Sequence, residues 1–142
     1  MFSKALDANR LTNLTSISFE NFNTSNVTDM SCMFYCDSLT SLNLSNFNTS
    51  KVTDMSYMFE DCRSLTSLNL SSFDMSKVTD TTAMLVDCSK LTEIKTPKAI
   101  GSAAVDLPTK TGYSWVDKNN TSIKYTQINS TNVGQTLIRK AN

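Results

Sequence analysis

Apolar positions recur along this chain in columns. On a spacing of about 26 residues, Leu14, Leu39, Leu65 and Leu91 form one column, and Ile17, Leu42, Leu68 and Ile94 form a second. Phe19, Leu44 and Leu70 make a third that ends in Thr96, and Phe22, Phe47 and Phe73 make a fourth. Within each unit the pattern is L-x-x-L-x-L-x-x-F. Around Leu42-Asn43-Leu44 the alternation has period two, which predicts a short strand with leucines inward and asparagine outward. Copies of that strand would pair as a parallel sheet about 4.8 Å apart. The second half of the unit changes period. Val52, Met55, Met58 and Phe59 follow one another at three-to-four spacing, which predicts one or two turns of helix with an apolar stripe. Thr53 and Asp54 stand at its start, where short oxygen side chains accept from the open amides of a helix, and Thr28-Asp29 and Thr79-Asp80 repeat the arrangement.

The columns arise because segments of the chain are copies. Val27 to Lys51 reads VTDMSCMFYCDSLTSLNLSNFNTSK, and Val52 to Lys77 reads VTDMSYMFEDCRSLTSLNLSSFDMSK. A third copy begins at Val78 with VTDTTAMLVDCSKLTEIKT, and a half copy, LTSISFENFNTSN, precedes them from Leu14. A period of this length marks a stacked solenoid whose units bury their apolar faces on one another. The predicted fold is α/β: short parallel strands alternating with short helices in residues 1–97, about three and a half repeats, then a small β-rich cap in residues 98–142.

The repeat stops at Pro97. Ala103 to Leu107, Tyr113 to Val116, Ile123 to Ile128 and Gln135 to Arg139 are predicted strands, with Lys118-Asn119-Asn120 as a turn. A solenoid exposes an apolar cross-section at its ends, so a cap is the expected role of this tail. The alternative is an independent β-domain with a ligand site around Tyr113 and Trp115.

The strings VTDMSCMFYC, VTDMSYMFEDC and SLTSLNLSNFNTSKVTDMS resemble the BspA-like leucine-rich-repeat surface proteins of bacteria, over roughly Leu14 to Thr96. The resemblance implies a right-handed leucine-rich-repeat solenoid on a secreted or wall-attached protein engaged in adhesion or host contact. The GY-x-W string at Gly112 to Trp115 is similar to tails that follow such repeats. The third copy departs from the pattern: Met55 is replaced by Thr81, Phe59 by Leu85 and Leu70 by Thr96, which predicts a transition to the cap.

Charge removes several function classes. With 13 basic and 13 acidic residues the formal net charge is zero, so there is no electrostatic footprint for nucleic acid or an anionic membrane. No apolar run approaches the roughly 20 residues of a membrane span. The chain enters the repeat part-way through a unit, at Leu14, which predicts an excised or trimmed piece of a longer protein; signal peptide and lipidation motif are not found in it.

Candidate chemistry is sparse. Cys36, Cys62 and Cys88 share one column. Parallel stacking would hold their Cβ atoms about 5 Å apart, beyond the roughly 3.8 Å a disulfide prefers. A metal or redox ladder is the functional reading and buried thiols acting as small hydrophobes the plainer one. The chain has no histidine and no C-x-x-C pair, which argues against zinc, and no metal or other cofactor is expected. Cys32, where the other copies carry Tyr57 and Ala83, is the thiol expected to be most exposed. Asp29, Asp54 and Asp80 invite a calcium reading, but the glycine-rich turns of calcium-binding β-solenoids are missing, and helix capping accounts for them better. Leu107 to Gly112 has one residue too many for a sortase signal. Without histidine no Ser-His or Cys-His nucleophile forms, and no carboxylate pair stands out.

The outward strand positions would line a concave face: Ser16, Ser18, Ser41, Asn43, Ser45, Ser67, Asn69 and Ser71, with Glu20, Glu93 and Lys95 at its margins. Such a surface lacks the aromatic and arginine anchors of protein hot spots and suits a glycan or a wet, repeated contact. The plainer reading is that small polar residues solvate a parallel sheet. The expected function is a non-enzymatic extracellular or cell-surface binding module, recognising a host or matrix protein or glycan. A structural spacer that binds nothing is the alternative.

Overall fold

A computed structural model of the protein describes residues 13–122 and 124–142. Its elements among those residues are all strands: β1 (Ser67–Asn69), β2 (Asp74–Met75), β3 (Glu93–Lys95), β4 (Ala99–Ile100), β5 (Val105–Asp106), β6 (Tyr113–Asp117), β7 (Lys124–Tyr125), β8 (Gln127–Ile128) and β9 (Thr136–Ala141). The repeats stack as coils in parallel register one unit apart. Ser67, Leu68 and Asn69 pair with Glu93, Ile94 and Lys95, Asp74 and Met75 pair with Ala99 and Ile100, and isolated bridges join Asp29 to Asp54 and Asp54 to Asp80.

The helices expected in the second half of each unit are not there, and the fold is all-β rather than an α/β leucine-rich-repeat solenoid. The backbone shows why. Cys32, Tyr57 and Ala83 occupy one column and all have left-handed backbone, with φ of 52°, 57° and 52°. Asp61 and Asp87, further along, have φ of 60° and 57°. A right-handed helix cannot pass through such residues. In the two lower coils the amides of this half bond across to the next coil instead of back along the chain. Met30, Cys32 and Phe34 donate to the carbonyls of Asp54, Ser56 and Met58, at 2.8–2.9 Å. Met55, Tyr57, Phe59 and Asp61 donate to Asp80, Thr82, Met84 and Val86, at 2.8–3.0 Å. The stripe Val52, Met55, Met58 and Phe59 is nonetheless fully buried. A coil bent by a left-handed residue puts those positions inward as a helix would.

The core is continuous through the coils. Leu39, Leu65 and Leu91, Leu68 and Ile94, and Leu44 and Leu70 are buried in their columns, and the rings of Phe34 and Phe59 stack with centroids 5.5 Å apart. Corners are closed by short polar side chains that bond the amide two residues on, the Asx turn. Asn43 accepts from Ser45, Asn48 from Ser50, and Asp54 from Ser56; Asn69, Asp74 and Asp80 do the same one coil later. The aspartates read as helix caps are therefore turn residues. Buried Thr24 and Thr49 clasp the next coil, each hydroxyl donating to a carbonyl and accepting from an amide of the same residue, Asn48 or Asp74.

The tail closes the stack over its strand side. β9 pairs antiparallel with β3 and then with β6, giving the sheet order β1-β3-β9-β6-β7, so one sheet runs through position 97. β5 and β8 form a separate antiparallel pair. Ile123, expected to open a returning strand, lies outside the described residues; the following chain forms β7 and β8. Gly101 lies where a fourth coil begins. A Cβ there would meet the Ser76 carbonyl oxygen at 2.5 Å, so only glycine allows the backbone to pass so close.

Candidate functional site

The outward row is present as a surface. Ser16, Ser18, Ser41, Asn43, Ser45, Ser67, Asn69 and Ser71 are all exposed. The pairing of β1 with β3 places Ser67 and Asn69, whereas the strand expected around Leu42-Asn43-Leu44 does not form; there the row follows from the inward packing of Leu42 and Leu44 alone. Asn43 and Asn69 are constrained by their own turns. The Asn43 side-chain oxygen accepts the Ser45 amide at 3.1 Å, and that of Asn69 accepts the Ser71 amide at 3.0 Å and hydroxyl at 2.7 Å. These bonds leave each side-chain NH2 group facing solvent as a donor, one coil apart. Glu93 and Lys95 continue the row on β3, and Lys118 Nζ comes within 3.8 Å of Glu93.

Beside this row lies a shallow depression of about 400 Å³, lined by Ser45, Asn46, Phe47, Asn48, Thr49, Ser72, Asp74 and Lys98. Lys98 was not singled out by the sequence pattern, because it follows the last repeat and reaches the depression only through the parallel pairing of β4 on β2.

Tyr113 and Trp115, the alternative site, are brought into one cleft of about 230 Å³ with Pro108, Thr109, Lys110, Tyr125 and Arg139. Their situations differ. Trp115 is only 4% exposed, and its indole N–H donates to the Pro108 carbonyl at 2.8 Å, so it packs and holds the loop before β6. Tyr113 is 42% exposed, with Lys110 Nζ 4.6 Å from its ring centre, an arrangement that favours the cation over the ring face.

All four cysteines are thiols. Cys36, Cys62 and Cys88 are buried in their column. The thiols of Cys62 and Cys88 donate to the carbonyls of Phe34 and Phe59, each at 3.2 Å. Burial pushes the Cys62 thiol up to about 12 and that of Cys88 higher still, and it raises Cys36 as well. Such groups stay protonated at neutral pH and are poor nucleophiles or metal ligands. No group of three or more cysteine, aspartate or glutamate side chains is placed to hold a metal among the described residues. Hydrogen bonds from the residue two positions on, chiefly its hydroxyl and then its amide, hold Asp29, Asp74 and Asp80 below the usual carboxylate range. That is the signature of occupied turn acceptors.

The chain belongs to the family described as Mycoplasma protein of unknown function, DUF285, whose model matches residues 1–101. No curated protein and no solved structure matches it. The match corrects the resemblance to BspA-like leucine-rich-repeat surface proteins: no such family, and no leucine-rich-repeat family, is found over the repeats. The coil explains the difference. Its L-x-x-L-x-L spacing imitates a leucine-rich repeat on the strand side, but its other side lacks the helix that completes such a unit.

Proposed function

We propose that this DUF285 member is a non-enzymatic binding module that acts outside the cell or at its surface, engaging a host or matrix glycan or protein through the outward row. The observation that carries the reading is the regular array of exposed serines with the amide donors of Asn43 and Asn69, each asparagine held by its own turn and Asn69 also by the pairing of β1 with β3. Each contact to such a surface is polar and shallow, so affinity per module is low and grows by repetition; linked sites gain roughly 10²–10⁴ in avidity without new contacts. A glycan with many hydroxyl acceptors fits this pattern better than a protein patch that needs aromatic anchors.

The test compares monomer with a bead-displayed multimer of the full chain on arrays of glycans and matrix proteins. The double variant N43D/N69D keeps the acceptor that closes each turn and removes both outward donors. Retention by the native multimer that is lost in the double variant supports the reading. Retention unchanged by the double variant moves the contact to Tyr113 and Lys110. No retention of any ligand by the native multimer favours a structural spacer, a reading to which the engagement of the Asn43 and Asn69 oxygens inside their own turns lends weight.

A further inference from the structure

The coil-to-coil ladder is left open at one place. In every lower coil the amides at alternate positions of the bent half donate to the coil above, as Tyr57, Phe59 and Asp61 do to Thr82, Met84 and Val86. The corresponding amides one coil later belong to Ala83, Leu85 and Asp87, and they meet no acceptor among the described residues. Leu85 is 1% exposed, so its amide is a buried donor without a partner, an uncommon and costly state.

The fourth coil is incomplete in a specific way. β4 lies over β2, and Thr81 Oγ donates to the Ala104 carbonyl at 2.6 Å, so the tail follows the coil path this far. It then turns away into β5, which pairs with β8. Where the next rung of the bent half would lie there is a groove of about 420 Å³, walled by Ala83–Ser89 on one side and Asp106–Thr109 on the other. That volume falls within the ~300–1,000 Å³ typical of ligand sites. Its floor includes buried Leu85, Met84 and Leu107, and Val86 is exposed beside it. Two carboxylates stand at its rim, Asp87 with the Arg63 guanidinium 3.9 Å away and Asp106 with one oxygen accepting the Gln127 side-chain amide at 2.7 Å.

We propose that this groove binds a short extended peptide segment of a partner protein as the missing rung, its alternate carbonyls accepting from Ala83, Leu85 and Asp87. This surface is separate from the outward polar row. Strand addition of this kind takes affinity from main-chain bonds and selectivity from alternate side chains. The apolar floor selects an apolar side chain on the inward position, and the acidic rim selects basic residues on either side of it. A folded coil from a second copy does not fit, because in register its strand half would fall where β9 already lies on β3. Only a detached segment reaches the open amides.

The probe is the blocked peptide acetyl-Lys-Val-Lys-Val-Lys-amide, titrated to millimolar concentration into the isotope-labelled full chain and followed by amide NMR. Its acidic counterpart, with Glu in place of Lys, is titrated in parallel. The expected result is saturable shifts at Ala83, Leu85 and Asp87 and along Asp106–Thr109, slower exchange of the Leu85 amide, and weaker binding of the acidic peptide. Asp87→Asn keeps a residue type that tolerates the left-handed backbone and should weaken the basic peptide roughly two- to fivefold, the effect of one exposed ion pair. Shifts scattered over acidic side chains elsewhere, shifts centred on Asn43 and Asn69, or no saturation at millimolar peptide would each overturn the proposal.

Discussion

The hydroxyl of Thr96 donates to the carbonyl of Asn132 at 2.6 Å, deep in the column where Leu44 and Leu70 stand in the coils below. The same oxygen accepts the Gln135 amide at 2.8 Å. The leucine column therefore ends because the next layer is the backbone of the tail, which needs a polar partner. Thr81, in the Met55 column, does the same for the Ala104 carbonyl. What looks in the sequence like decay of the third copy is the joint between repeat and tail.

Restoring the repeat residue at this joint should harm the protein. Thr96→Leu removes the partner of one carbonyl and one amide while adding volume, and the isosteric Thr96→Val removes the partners alone. Each should lose about 1–3 kcal/mol, the cost of leaving buried polar groups unsatisfied. Urea denaturation of the three proteins measures this. A Thr96→Leu variant as stable as the native chain would mean that the joint is not where the tail is held.

Inward and outward positions on β1 should separate cleanly. Leu68→Ala should cost about 2–5 kcal/mol, as for a buried leucine truncated in a close-packed core. Asn69→Ala loses only an exposed turn acceptor for Ser71, about 0.5–1.5 kcal/mol. Equal damage in thermal melts would contradict the phase of the strand.

The strand half of the coil was legible at β1 and β3, where its signal is doubled, although the same pattern at Leu42-Asn43-Leu44 forms no strand. Leu68 and Asn69 alternate along the chain, and Leu68 repeats at Ile94, its parallel neighbour. The bent half was not legible, since Val52, Met55, Met58 and Phe59 carry a spacing that a helix and a bent coil both produce. What separates the two is left-handed backbone at Cys32, Tyr57 and Ala83, and none of those residue types announces it. Asp61 and Asp87 belong to a type that visits that region more readily, a weak hint at best. The exposed Ser and Asn row could be placed from the pattern, whereas the groove beside Leu85 could not. It exists because the tail leaves the coil path after Ala104, an event that depends on β5 finding β8.

The thiols should fall into two reactivity classes. Cys62, raised to about 12 mainly by burial, and Cys88, raised further by the same cause, should resist alkylation at neutral pH in the native state, and so should buried Cys36. Cys32, only partly buried, should be labelled first. Mass spectrometry after a short iodoacetamide pulse, with and without denaturant, reads the order. Labelling of Cys62 or Cys88 ahead of Cys32 would show that the coils open locally around their column.

Acid should destabilise the stack through its turns. Asp29, Asp74 and Asp80 are held below the ordinary carboxylate value by hydrogen bonds that exist only in the folded chain. A carboxylate whose folded pKa is depressed contributes stability that is full above its unfolded value, near 4, and fades as pH falls through the folded value. The melting temperature should therefore be nearly level from pH 7 down to about 5 and should drop below about pH 4. Replacing all three aspartates by asparagine keeps the acceptor oxygen that each turn needs and removes the titration. The triple variant should show a shallower acid limb, with its neutral-pH melting temperature little changed. An acid limb as steep as that of the native chain would place the acid sensitivity in other carboxylates, and a large loss at neutral pH would mean that the charge, beyond the acceptor, stabilises the corners of the coil.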